Sequence, residues 1–220
     1  MPDNPSLDLA AGHARQDVCE IHRPGGLQLG QRINGGVLRR NADAQIYGAE
    51  ADLAYVPIEH LMTDANLSYL HTEIGNFFSE DAANPAQSLT ATSPSVQVNL
   101  KGNELPHSPD AKVKVGAQYT TSPFLDAWTA TFRADGVWQD KYFAREYNTP
   151  TDRIASWGQL DLQVRFDNDP HRMSVRFFVK NGTNENDITN IIIEDALIGR
   201  YRNVRLLDPQ TFGVIFDKTF

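Results

Sequence analysis

Apolar and polar side chains alternate with a period of two along most of the chain. In the segment 111–120, alternate positions carry the apolar residues Val113, Val115, Ala117 and Tyr119. Lysines and other polar residues fill most of the positions between them. Successive side chains of a β-strand point to opposite faces, so this segment is predicted to be a strand with one apolar and one polar face.

Other segments repeat the alternation, and together they predict about eight strands and an all-β, antiparallel fold. They lie at about 27–33, 47–55, 65–69, 128–139, 159–167, 173–180 and 212–220. The first of these is the weakest, and Phe178 interrupts the polar face of its strand. Residues 1–24 are polar and patternless, so they are left unassigned and expected to be disordered, whereas residues 25–220 are expected to form one unit.

Short and long connections alternate between the predicted strands. Three short connections contain proline and lie at 56–59, 122–124 and 168–171. Three long polar stretches separate them, at roughly 77–109, 143–155 and 183–208. Transmembrane β-barrels sort their connections in this way, with short turns on the periplasmic side and long loops outside. The first long stretch is rich in Ser, Asn, Thr and Pro and is predicted to be a flexible loop.

Two arrangements fit the alternation of apolar and polar positions. In a soluble sandwich the apolar face packs against a second sheet, whereas in a membrane barrel it faces lipid. Trp128 and Trp138 bracket one apolar stripe, and Tyr47 and Tyr55 bracket another. The spacing of the tryptophans matches the ~9–11 residues with which a tilted strand crosses the hydrocarbon, and Trp and Tyr favour membrane interfaces. The pattern therefore favours the barrel.

Composition narrows the class further. Hydrophobic residues make up 40% of the 220-residue chain, but no run of residues is apolar enough for a membrane helix. The net charge of −8 argues against nucleic acid as a partner. Cys19 is the one cysteine, so no internal disulfide forms. Residues 1–24 lack the basic and apolar regions of a signal peptide, which an exported protein needs, so the chain is interpreted as a fragment.

Short motifs point to one family. Residues 41–50 (Asn-Ala-Asp-Ala-Gln-Ile-Tyr-Gly-Ala-Glu) lead into a strand that ends at Pro57. Residues 102–109 read Gly-Asn-Glu-Leu-Pro-His-Ser-Pro, residues 179–184 read Val-Lys-Asn-Gly-Thr-Asn, and the chain finishes on Phe220. In this order the motifs resemble the late barrel region of TonB-dependent outer-membrane receptors.

The resemblance implies a transmembrane β-barrel in the outer membrane of a Gram-negative bacterium. Family members have a barrel of twenty-two strands, an N-terminal plug and a short box that contacts TonB, whereas this chain resembles only the C-terminal part of the barrel. The implied function is uptake of a ferric siderophore or a similar scarce ligand, without a cofactor. The implied partners are outer-membrane lipid, the barrel insertion machinery, the rest of the receptor, and TonB through the N-terminal region. As an isolated fragment the sheet would have two unpaired edges and is expected to be inactive.

Two groups of candidate site residues follow from the resemblance. The candidates for ligand contact in the long loops are Arg145, Tyr147, Arg200, Tyr201 and Arg202, because guanidinium groups bind anions such as carboxylates well. The alternative is that these residues hold the loops together. The candidates for the barrel-insertion signal are Phe212, Phe216 and Phe220. The alternative for this group is an edge strand whose aromatic side chains only pack.

Other function classes are less well supported. No nucleophile elbow, phosphate loop or metal-ligand spacing is present, and the six histidines are scattered, so neither an enzyme nor a metal site is predicted. A set of charged residues is expected to project into the barrel lumen: Glu50, Asp52, Lys112, Lys114, Arg133, Asp135, Asp161, Arg165 and Arg176. Two alternatives stay open, a self-contained eight-stranded outer-membrane barrel and a soluble β-sandwich binding module.

Overall fold

A computed structural model describes residues 14–33, 36–83, 97–125, 127–196 and 199–220, with side chains from Ala42 onward. This part of the chain is built of strands, and none of its segments is a helix long and apolar enough to cross a membrane. The strands in chain order are β1 (Ala14–Ile33), β2 (Gly36–Ile58), β3 (Leu61–Ile74), β4 (Phe78–Ser79), β5 (Val98–Asn99), β6 (Ala111–Thr120), β7 (Trp128–Gln139), β8 (Tyr142–Phe143), β9 (Arg153–Ile154), β10 (Trp157–Asn168), β11 (Met173–Lys180), β12 (Ile188–Ile193), β13 (Arg202–Leu206) and β14 (Thr211–Lys218).

Eight of these strands form one antiparallel sheet in the order β1-β2-β3-β6-β7-β10-β11-β14. The register brings apolar residues of neighbouring strands to the same face. One such row across the sheet is Tyr119, Phe132, Val164, Phe177 and Val214. The predicted all-β fold, its antiparallel pairing and its apolar face are confirmed.

The opposite face carries the charged residues, and the aromatic residue Phe178 on this face has a structural explanation. Phe178 lies opposite Gly213 on the neighbouring strand β14. A Cβ built on Gly213 would come within 2.6 Å of Cζ of Phe178, so the ring covers the glycine. An aromatic side chain that lies over a cross-strand glycine shields backbone that would otherwise be open, and it helps to fix the register.

The first strand differs from the sequence prediction. β1 begins at Ala14, so residues 14–24, which were expected to be disordered, are part of a strand, and the boundary at residue 25 falls inside it. This segment has no clear apolar stripe, but its backbone pairs with β2 from Ala14–Leu53 to Arg23–Ala44. Ladder hydrogen bonds therefore define this part of the strand, and side-chain alternation does not reveal it. Residues 1–13 lie outside the described residues.

The sheet is open. β1 and β14 occupy its two edges, and within the described residues no ladder joins them. A self-contained eight-stranded barrel needs that pairing, and a sandwich needs a second sheet on the apolar face. The other sheets in the described part of the chain are three two-stranded ones in the long connections. The arrangement matches neither alternative and is that of a segment of a larger barrel.

From β2 onward the connections are sorted by length, as predicted, whereas the short connection between Ile33 and Gly36 lies at the end of the long loops and is an exception. Because consecutive strands of the sheet are antiparallel neighbours, alternate connections lie at opposite ends of the sheet. The short ones follow β2, β6 and β10 at one end. The long ones lie at the other end and are called here loop 1 (residues 75–110), loop 2 (residues 140–156) and loop 3 (residues 181–210).

Loop 1 is held to the sheet in its described part. Ile74, Leu100 and Leu105 form a buried cluster with Ala44, and Phe77 packs against it. The expected flexibility of the stretch 77–109 is therefore corrected for residues 77–83 and 97–109, which this cluster anchors. The physical reason is the two buried leucines, which a composition dominated by Ser, Asn, Thr and Pro conceals. Residues 84–96 lie outside the described residues.

Candidate ligand-contact site in the long loops

Loops 1 and 2 are joined by amide hydrogen bonds. The Oδ1 atom of Asn148 accepts from the backbone N–H of Glu104 at 2.6 Å, and its Nδ2 donates to the carbonyl of Glu104 at 3.1 Å. The Nδ2 of Asn103 donates to the carbonyl of Glu146 at 2.8 Å. Asn103 and Glu104 belong to the motif 102–109, so this motif attaches loop 1 to loop 2.

An ion triad lies beside this attachment. The Nη1 atom of Arg145 lies 2.6 Å from Oδ1 of Asp81 in loop 1, and its Nε lies 2.6 Å from Oδ1 of Asp152 in loop 2. The side chains of Asp81 and Asp152 are 4% and 0% exposed. Asp152 also accepts from the backbone N–H and the hydroxyl of Thr149. Buried carboxylates require such partners, because an uncompensated charge in the interior is costly.

Tyr147 continues the network. Its hydroxyl donates to the carbonyl of Glu80 and lies 3.1 Å from the hydroxyl of Ser79, both in loop 1. The guanidinium carbon of Arg145 lies 5.2 Å from the centre of the Tyr147 ring, a distance at which a cation and a π face attract each other. Arg145 and Tyr147 therefore make their contacts within the loops, as the alternative interpretation of these two residues described.

Burial changes the protonation equilibria of these groups. Burial raises the pKa of the Tyr147 hydroxyl to about 12, and it raises the pKa of the Glu146 carboxyl. The pKa of Glu104 is raised by burial and by the nearby charge of Asp110. Burial acts to lower the pKa of Arg145, but hydrogen bonds to Asp152 and Asp81 outweigh it and raise the pKa. At neutral pH the guanidinium of Arg145 is therefore fully protonated.

Loop 3 contains a β-hairpin that sequence reasoning missed. β12 and β13 pair with each other, and Ile191 of β12 is buried with Tyr142, Ala144 and Ile154 of loop 2. The hydroxyl of Tyr142 donates to the carbonyl of Thr189 at 2.5 Å. The sequence signal for this hairpin is the apolar run Ile-Ile-Ile at 191–193, which interrupts the otherwise polar stretch 183–208.

The tip of this hairpin carries the remaining ligand-contact candidates. Arg200, Tyr201 and Arg202 are all exposed, and 66% of the Tyr201 surface is accessible. Hydrogen bonds within the tip join the N–H of Glu194 to the carbonyl of Tyr201 and the N–H of Arg200 to the carbonyl of Asp195. The five candidates thus divide into two groups. Arg145 and Tyr147 lie inside the loop assembly, and the other three project from its surface.

Two partners of Arg145 in the loops were not identified from the sequence. Asp81 is 64 positions from Arg145, and no local pattern connects them. Asp152 offered a weak signal, because Thr149-Pro150-Thr151-Asp152 is a turn-forming sequence in which the aspartate accepts from the turn.

The candidates for the insertion signal lie on the edge strand β14 and beyond it. Phe212 and Phe216 share the apolar face and are 78% and 58% exposed, and Phe220 is fully exposed at the end of the chain. The Nζ atom of Lys218 lies 5.5 Å from the centre of the Phe220 ring. These aromatic side chains are accessible for contact with lipid or with another protein.

The sequence matches a known protein family, and this match agrees with the open sheet and its apolar face. The family described as "TonB dependent receptor-like, beta-barrel" matches residues 17–181. The chain belongs to this family. TonB-dependent receptor barrels lie in the outer membrane of Gram-negative bacteria, so the apolar face of the sheet is the face toward lipid. No curated protein sequence matches the chain.

Solved structures agree with this assignment at the level of the fold. The ferric yersiniabactin uptake receptor of Yersinia pestis is 14% identical, with a TM-score of 0.60 over 80% of this chain and 23% of its own. The ferric preacinetobactin receptor of Acinetobacter baumannii is 17% identical, with a TM-score of 0.56 over 93% of this chain and 26% of its own. The copper transporter OprC is 17% identical, with a TM-score of 0.59 over 95% of this chain and 28% of its own. The chain thus spans about a quarter of the length of each structure.

Proposed function

We propose that this chain is the C-terminal barrel segment of a receptor that takes up a ferric siderophore or a similar scarce chelate across the outer membrane. The observation that carries the proposal is the family match over residues 17–181. Similar structures are named as receptors for ferric yersiniabactin and ferric preacinetobactin, as a siderophore receptor and as a copper transporter, which supports a metal chelate as the cargo class.

The rest of the receptor completes the transport function in this proposal. A plug and further barrel strands close the pore, TonB supplies energy through the N-terminal region, and the insertion machinery assembles the barrel. An isolated sheet with two open edges does not separate two compartments, so transport belongs to the intact receptor.

The hairpin tip supplies the proposed ligand contact. Arg200 and Arg202 are exposed at the loop end of the sheet, and Tyr201 lies between them. Guanidinium groups donate forked hydrogen bonds to carboxylate-type and catecholate-type oxygens, and an adjacent aromatic ring adds apolar area. Ferric chelates with negative charge present such oxygens, so the tip suits the initial capture of the ligand.

The test is uptake of radioactive iron by cells that produce the intact receptor containing this chain. The substrates are one catecholate, one hydroxamate and one carboxylate ferric chelate, offered separately under iron limitation. The double variant Arg200→Gln/Arg202→Gln is expected to weaken the apparent affinity for one of them by about tenfold or more, because charge-assisted hydrogen bonds are worth roughly 1.5–3 kcal/mol each.

The matched control is Arg172→Gln, which removes an exposed arginine from a short turn at the opposite end of the sheet. It is expected to leave uptake unchanged. Absence of receptor-dependent uptake for all three chelates would refute the proposed cargo class. An equal loss in the control and in the double variant would remove the tip from the contact site.

A further inference from the structure

The three long loops meet at one junction, residues 81–83. The side chain of Asp81 receives Arg145 of loop 2, and the carbonyl of Ala82 accepts from the N–H of Ala196 of loop 3 at 3.0 Å. The junction is itself closed by a hydrogen bond from the N–H of Ala83 to Oδ1 of Asp81 at 3.0 Å. Asp81 therefore connects loop 1 to loop 2, and its neighbour Ala82 connects loop 1 to loop 3.

Arg145 holds the junction with a forked geometry. Its Nη1 and Nη2 atoms face the two carboxylate oxygens of Asp81, at 2.6 and 3.4 Å, while Nε binds Asp152. A planar guanidinium binds two carboxylates at fixed angles, which a single ammonium group does not do. Asp152 is fully buried within loop 2, so it provides a fixed anchor from which Arg145 orients Asp81.

The turn of loop 3 that carries Arg200 is bonded to loop 1 at this junction, through the N–H of Ala196. Hydrogen bonds from Gly199 to Ala196 and from Arg200 to Asp195 fix the shape of the tip but do not attach it to another loop. Ala196, which bonds to Ala82, belongs to the same turn as Arg200. Ile191 is buried against loop 2, and Ile193, which pairs with Arg202, packs against the same cluster, so the hairpin itself holds Arg202.

We propose that Arg145 is a positioning residue. The ion triad Asp81–Arg145–Asp152 fixes residues 81–83, and the bond between Ala82 and Ala196 carries that position to the turn of Arg200. Arg145 acts on the ligand through the placement of Arg200 and does not touch the ligand itself. The consequence for ligand capture rests on the proposed function, whereas the mechanical link between Arg145 and the tip does not.

The link is tested by a distance measurement without ligand. In the intact receptor in detergent micelles, Cys19 and any other cysteine are replaced by serine, and spin labels are attached through Tyr201→Cys beside Arg200 and Lys112→Cys on β6. Both labelled positions are exposed. Electron–electron resonance is expected to give one narrow distance peak. Arg145→Gln is expected to abolish that narrow peak, and the control Arg172→Gln is expected to retain it.

Asp81→Asn is the second variant, for the case in which Arg145→Gln fails to fold. It leaves Arg145 bound to Asp152 inside loop 2 and removes the charge from the bond between Arg145 and loop 1, so the narrow peak is expected to broaden. A narrow peak retained in Asp81→Asn would overturn the proposal, as would equal broadening in Arg172→Gln.

Iron uptake separates this proposal from the proposed function. If the peak broadens while uptake in Asp81→Asn stays normal, the mechanical link stands and the role of the tip in capture is refuted. If the peak broadens and uptake affinity falls, both are supported. The spin labels report the distance between loop 3 and the sheet in the absence of ligand. The distance result therefore tests the mechanical link even if no cargo is identified.

Discussion

The guanidinium of Arg133, on β7, reaches across β6 and hydrogen-bonds to Asp64 on β3 at 2.5 Å. Its Nη2 atom also lies 2.6 Å from Oδ1 of Asp135, two positions further along β7. Gly116 is the β6 residue that pairs with both Asp64 and Asp135, and the absence of a side chain there opens the path for the guanidinium. A glycine in the middle of a strand is thereby explained by the ion pair that passes over it.

Gly116→Ala is expected to displace this ion pair. A Cβ at this position would lie 2.1 Å from Nη2 of Arg133 and 2.7 Å from Oδ1 of Asp64, so both side chains must move. The expected loss is about 1–3 kcal/mol of unfolding free energy, the range for overpacked interior positions. Denaturant unfolding of the intact receptor in detergent measures it.

Gly136→Ala is the matched control for this substitution. Gly136 pairs with Val115, the residue before Gly116, but it lies on the apolar face. A Cβ there would meet its nearest neighbour, Cγ2 of Val115, at 3.4 Å, which is an ordinary contact. No loss of stability is expected for the control. Equal stability of the two variants would show that the crossing ion pair accommodates a methyl group.

Asn181→Asp is expected to release the base of loop 3. The buried amide of Asn181 donates to the carbonyls of Glu185 and Asp208 at 2.8 and 2.9 Å, and its Oδ1 accepts from the N–H of Glu185 at 3.0 Å. A carboxylate removes both donors and places its charge against two carbonyls, at a cost of about 1–3 kcal/mol. Hydrogen exchange of loop 3 amides is the measurement. Asn186→Asp, at an exposed position, is expected to leave exchange unchanged, and unchanged exchange in Asn181→Asp would contradict the role assigned to the amide.

The sheet was predictable from the sequence because a membrane barrel encodes it locally. In β6, β7 and β10 apolar and polar residues alternate, and the alternation is visible within ten residues of sequence. The pairing of β1 was not visible in the same way, because residues 14–24 have no apolar stripe and their partners lie in β2. Ladder hydrogen bonds are the same for every side chain, so they leave no trace in the residue types.

The site was less predictable because its residues are joined over long distances in sequence. A loop sequence does not distinguish an exposed arginine from a buried one, so the sequence predicts ligand contact for both Arg145 and Arg200. Burial against Asp81 and Asp152 distinguishes them in the structure. Only the arrangement of three loops in space supplies that information, and no periodicity encodes it.

Tyr147→Phe is expected to remove a late step from the alkaline titration of the chain. Burial raises the pKa of Tyr147 from an ordinary value near 10 to about 12. The unfolded chain therefore loses this proton at lower pH than the folded chain, and the contribution to stability disappears as the pH rises from about 10 to 12. Absorbance of tyrosinate at alkaline pH measures the step. Tyr201→Phe, at an exposed tyrosine, is expected to retain it. If the fraction that titrates near pH 12 is unchanged in Tyr147→Phe, the hydroxyl is not buried in the loop junction.

Deletion of Phe220 is expected to lower assembly of the barrel in the outer membrane. Phe220 is fully exposed, and Phe212 and Phe216 on β14 are exposed on the same strand face, so these aromatic rings are accessible to a protein that recognises the end of the chain. Their packing within the sheet is slight, and loss of Phe220 therefore changes recognition more than stability. The measurement is the amount of folded receptor in the outer-membrane fraction of cells that produce the intact protein. Phe220→Tyr keeps a terminal aromatic ring and is expected to assemble normally, while Thr219→Ser controls for a change beside the terminus. Normal assembly after the deletion would mean that the edge of β14 is sufficient for recognition during assembly. The aromatic rings of β14 would then serve only in contact with lipid.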